Sequence, residues 1–109
     1  MRPSILLLLL TLASCSHDRR DPAEVYRGTC LLGFEKSDFT PEGSPLERWW
    51  LSGEVGELSS RIGTLDTPAV VTLEGRLSER GAFGHLGSYG RELRVTRVLE
   101  VRVVGAEGN

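Results

Sequence analysis

The strongest constraint in this chain is a period-two alternation of apolar and polar residues in its second half. From Ala69 to Leu77, Val71, Leu73 and Leu77 fall on one side, with Thr72, Glu74 and Arg76 on the other. Leu93 to Val104 repeats the pattern, with Leu93, Val95, Leu99, Val101 and Val103 opposed to Arg94, Thr96, Glu100 and Arg102. Successive side chains of a strand point to opposite faces, so such stretches fold as strands with one face buried. Arg97 interrupts the apolar row and Val98 stands on the polar side, a double fault that one β-bulge near Arg97 explains.

The first half reads the same way with less regularity. Val25 to Phe34 is rich in β-formers and contains two glycines that suit bends. Ser37 to Pro45 is a turn with a short strand at Asp38–Thr40, and Arg48 to Ser52 is a further strand. Within Gly53–Leu65, Val55, Leu58 and Ile62 recur at helical spacing. The order is three strands, a short helix and two strands, in about 80 residues. That layout resembles a small OB-like antiparallel β-barrel; an irregular sandwich or β-roll is the alternative.

The N-terminus obeys a different logic. Arg2 supplies one positive charge, Ile5 to Leu10 is wholly aliphatic, and Thr11-Leu12-Ala13-Ser14-Cys15 follows. An apolar stretch of about nine residues suits a secretory signal peptide and is short of the roughly 20 that span a bilayer. Leu12-Ala13-Ser14-Cys15 resembles the lipobox of small bacterial lipoproteins. The resemblance implies cleavage before Cys15, a diacylglyceryl thioether on its sulfur, and acylation of the new amino group. Ser16 beside the lipid implies sorting to the outer membrane, facing the periplasm. The domain plan is then 1–14 signal peptide, 15–23 lipidated cysteine and polar tether, 24–105 OB-like barrel, and 106–109 tail. Removing residues 1–14 leaves 95 and takes the net charge from −2 to −3. The expected partner is thus the membrane through Cys15, together with an envelope protein or glycan. Nucleic acid fits neither that place nor that charge.

Candidate contact residues are few. Gly81, Gly84, Gly87 and Gly90 recur every third residue, with Phe83, His85 and Tyr89 between them. The stretch lacks the spacing of a dinucleotide or phosphate-binding loop. Either it presents Phe83, His85 and Tyr89 to a ligand at the barrel mouth, or its glycines simply satisfy unusual backbone angles. Trp49 and Trp50 are neighbours on a strand, so one ring belongs to the core and the other points out, unless a bulge buries both. His85 has only Glu79 near it in sequence, too little for a metal site. No nucleophile stands in a catalytic context, so neither an enzyme nor a cofactor is expected. A metal-sensing module is the alternative reading, and an envelope-polymer hydrolase a more distant one. Cys30, unpaired once Cys15 is lipidated, is expected to be buried, with an intermolecular disulfide as the sharper alternative. Arg91, Arg94, Arg97 and Arg102 line the last strand with Glu92 and Glu100 among them, which reads as a solvated face of mixed charge.

Overall fold

The computed structural model describes residues 20–104. Cys15, the lipobox and residues 106–109 lie outside them. Five strands and one helix form: β1 (Glu24–Gly33), β2 (Lys36–Pro41), β3 (Trp49–Gly53), α1 (Val55–Ile62), β4 (Ala69–Leu77) and β5 (Arg91–Val103). The strands close into a barrel in the order β1-β2-β3-β5-β4, an OB-like arrangement with the helix between β3 and β4. Four pairings are antiparallel and β3–β5 is parallel. The mainly β, mostly antiparallel barrel with one short helix expected from the sequence is therefore present, with a single parallel pair. A closed ring with an odd number of strands cannot alternate direction all the way round, so one pair must run parallel.

β1 serves both halves of the barrel. Glu24–Cys30 pairs with β4, while Gly28–Gly33 pairs with β2. The two pairings overlap over Gly28, Thr29 and Cys30, and at Gly28 a Cβ would stand 2.2 Å from the Thr40 carbonyl oxygen. Only glycine permits that approach, and the strand turns the barrel corner there.

The irregularity expected near Arg97 is present as two register shifts against β4. Thr72 pairs with Glu100 but Leu73 with Val98, and Glu74 pairs with Arg97 but Gly75 with Val95. Leu99 and Thr96 are the supernumerary residues. The shifts reverse the simple alternation: Val98 turns into the core at 9% exposure, and Leu99 turns out at 36%. The two residues thus exchange the faces that a strict period of two assigns them.

Phe39, Leu51, Leu73, Leu93, Val71 and Val95 fill the interior. α1 turns Leu58 and Ile62 into that core and ends at Gly63, whose φ of +96° suits glycine. Arg61 Nη1 of the helix donates to the Val98 carbonyl at 3.1 Å, so the inward bulge also anchors the helix. The barrel takes hold of the chain before β1, since Arg20 bridges Ser78 and the Asp21 amide donates to the Leu77 carbonyl at 2.9 Å. Arg20 Nη2 also meets Glu92 Oε1 at 2.6 Å. The stretch expected to be a free tether up to residue 23 is thus docked from Arg20 onward.

The bulge assignment has a direct consequence for stability. Val98→Asp buries an unpaired charge and should cost roughly 3 kcal/mol or more, whereas Leu99→Asp should stay within about 0.5 kcal/mol, by urea denaturation.

Candidate functional site

The outer face of β2 and β3 carries Lys36 and Asp38 on one strand and Trp50 and Ser52 on the other, while Phe39, Trp49 and Leu51 point inward. Asp38 and Trp50 are register partners. The two tryptophans thus divide as the strand geometry requires. Trp49 belongs to the core, edge-on to Tyr26 at 5.6 Å, with its Nε1 donating to Glu47 Oε1 at 2.9 Å. That bond, with Arg80 beside it, holds the Glu47 carboxyl below the usual range. Trp49 is a packing residue and no longer a contact candidate.

Trp50 faces outward but is not bare, because residues 78–90 fold back across it. The segment is ordered by its own backbone: Gly81 N donates to Gly90 O at 2.9 Å, Phe83 N to Tyr89 O at 2.9 Å, and Tyr89 N to Phe83 O at 3.1 Å. A 3-10 turn at His85–Gly87 closes the tip. Gly84, at φ +71°, lies so close to the indole that a Cβ there would sit 2.4 Å from Trp50 Cε3. The glycine is needed both for its backbone angle and for this contact. The loop therefore lies along the β2–β3 face, and Gly84 and Gly87, both at positive φ, fit the alternative in which its glycines satisfy unusual backbone angles.

Tyr89 completes the seal. Its ring stands 5.1 Å from that of Trp50 at 65°, and its hydroxyl donates to Asp38 Oδ1. The Arg48 guanidinium lies 5.1 Å from the centre of the tyrosine ring and 3.7 Å from Asp38 Oδ2. Burial first, and the Asp38 carboxylate second, push the Tyr89 hydroxyl above its ordinary pKa, so it remains a donor. Tyr89 is buried, which removes it as a ligand contact. Phe83 is half-buried and pairs with Tyr89 in the loop. Of the expected contact residues, only His85 and part of Trp50 and Phe83 remain reachable.

His85 takes a partner from across the site. Its Nε2 is 3.2 Å from Glu35 Oε1, in the two-residue turn between β1 and β2. Fifty residues separate the pair in sequence, and the carboxylate that meets His85 is not Glu79, the nearer one along the chain. Beside the pair stand Phe34 at 84% exposure and Leu86 at 88%. A phenylalanine in a two-residue hairpin turn has no core to enter, which was the available signal for Phe34. Asp38 and Arg48 carried no such signal.

Next to this face lies a cleft of about 480 Å³, lined by Leu32, Lys36, Trp50, Val55, Ser59 and Leu65 among others. It opens because β2–β3 pairing extends only over Asp38–Trp50 and Phe39–Trp49. Beyond it the strands splay, held by Ser37 Oγ donating to the Leu51 carbonyl at 3.0 Å. Among the described residues no group of three or more His, Cys, Asp or Glu is placed to hold a metal ion. Cys30 is fully buried and free, and burial pushes its thiol up to about 11. No protein-family model, no curated protein and no solved structure matches this chain.

Two outcomes follow. Gly84→Ala should lift the loop from Trp50, with a red shift and greater quenching of tryptophan fluorescence and a loss of about 1–3 kcal/mol. For Cys30, a folded pKa above the ordinary 9.0 means that its contribution is intact below pH 9 and lost as pH rises toward about 11. Stability from pH-dependent denaturation should therefore fall by about 2–3 kcal/mol across that window, and Cys30→Ala should flatten the slope.

Proposed function

We propose that this chain is a non-catalytic binding module of the bacterial envelope, anchored by lipid on Cys15 in the outer membrane and facing the periplasm. The observation that carries the binding part is the convergence of three elements on one face. The β1–β2 turn, the β2–β3 surface and the β4–β5 loop meet through the Glu35–His85 pair and the Trp50–Gly84 contact. OB-type barrels bind ligands with these elements.

The chemistry of the face supports the same reading. A loop locked onto its own scaffold presents a preformed surface, and a ligand meeting it loses little free energy to ordering. Phe34, Leu86 and Leu65, the last 59% exposed on the cleft wall, leave apolar surface in water beside the cleft. Concave, largely apolar sites with a few polar groups are the usual form of ligand pockets. The anchoring part rests on Leu12-Ala13-Ser14-Cys15 and the short apolar run before it.

Each part has its own test. The intact mass of protein extracted from its membrane should equal residues 15–109 plus a diacylglyceryl group, with or without an amide-linked acyl chain. An uncleaved, unlipidated chain removes the envelope assignment. A photo-crosslinking residue at Leu65 or Leu86 should give a discrete adduct in cells, and one at Leu46, exposed in the β2–β3 connection, should not. Equal adducts from all three positions contradict the site.

A further inference from the structure

The two acidic residues interleaved with the β5 arginines are engaged elsewhere, Glu92 by Arg20 at 2.6 Å and Glu100 by Arg27 at 3.4 Å. Glu74 of β4 is taken by Arg97 at 3.6 Å. The Arg94 side chain is left with no hydrogen bond or ion pair among the described residues. Its register partner on β4 is Arg76, also exposed, whose side chain likewise has no ion pair among the described residues. Like charges directly opposite on one face of a sheet are destabilising. On its other side Arg94 is in register with Ser52 of β3. Lys36, two residues before Asp38 on the same outer face of β2, lines with Ser52 the cleft where β2 and β3 splay. Lys36 is exposed and makes no ion pair among the described residues.

One row across three strands thus reads Arg76, Arg94, Ser52, all on the outer face. Strands lie about 4.8 Å apart, so the row spans roughly 10 Å of surface. Ser52 at its end and Lys36 of β2 both line the cleft beside Trp50. The stem of Arg94 packs on Gly53, another cleft residue, where a Cβ would stand 3.2 Å from Arg94 Cγ. The carboxylate that follows, Glu54, is exposed at the start of α1 and forms no ion pair with Arg94.

We propose that this row and the cleft bind an acidic glycan, its carboxylates meeting Lys36, Arg94 and Arg76 and a sugar ring seated beside Trp50. The assignment rests on the binding face described above and names its ligand class. Two adjacent arginines without counter-charge lower stability and are relieved by a bound anion. A glycan is favoured over a single-stranded nucleic acid because the row carries no series of aromatic rings on which successive bases stack.

The test uses the full-length protein in non-ionic detergent, titrated with polygalacturonate, neutral dextran and poly(dT), with tryptophan fluorescence as readout. Polygalacturonate should bind, with affinity falling as salt rises, and dextran should not. Arg94→Gln, Arg76→Gln and Lys36→Gln should each weaken binding about fivefold, as for a single partly solvated charge contact. Arg97→Gln, which removes a cation already paired with Glu74, should change it little. Arg76→Gln should also raise the melting temperature at low salt while it weakens binding, a combination that a purely structural role would not give. Absence of polygalacturonate binding, equal binding of dextran, tighter binding of poly(dT), or an Arg97→Gln effect equal to that of Arg94→Gln would each overturn the proposal. If the glycan fails while the adduct from Leu65 persists, the ligand class is wrong and the binding face stands. Loss of both removes both.

Discussion

The parallel pairing of β5 with β3 is the constraint on which the rest of this molecule depends. It is forced by closing a five-stranded ring, and it sets β5 between β4 and β3. Because β5 must begin beside Trp49, the chain leaving β4 has to return alongside β3, and residues 78–90 are delivered onto Trp50. The same placement sets Arg94 between Arg76 and Ser52 and so assembles charges from separate strands into one row. Closure also leaves every strand paired on both sides over part of its length, which limits exposed sheet edges.

The curvature that closure demands is distributed over identifiable residues. Gly28 lets β1 pass within van der Waals distance of the Thr40 backbone while it changes partners. On β5, the two register shifts twist the strand and move Val98 inward, where its carbonyl also receives Arg61 from the helix. Gly75, opposite the second shift, lies so near β5 that a Cβ would meet the Arg94 carbonyl at 2.5 Å. Bending, core composition and helix docking are therefore coupled through a few positions.

Much of the fold was legible in the sequence, and most of the site was not. Alternation at Ala69–Leu77 and helical spacing at Val55, Leu58 and Ile62 located β4 and α1, because both patterns report a single buried face. The fault at Arg97–Val98 signalled a bulge, but only the register shift between Thr72 and Leu73 decides that Leu99 is the residue turned out. Gly81, Gly84, Gly87 and Gly90 stood out as unusual, yet the reason for Gly84 is the indole of Trp50, 34 positions earlier. Tyr89 looked like an exposed contact because its partners, Asp38 and Arg48, come from β2 and from the β2–β3 connection. Glu35 with His85, and Arg94 in register with Ser52, are likewise contacts between distant segments. No local pattern encodes them; they exist only once the barrel closes.

The most direct test of this account is the backbone contact between β3 and β5 in solution. Nuclear Overhauser measurements on the labelled protein should show parallel-strand contacts linking Leu51 with Leu93 and Ser52 with Arg94, together with those joining β5 to β4. An open sheet, in which β5 contacts only β4 and β3 only β2, would contradict the closed barrel. With it would go the seating of residues 78–90 on Trp50 and the cation row.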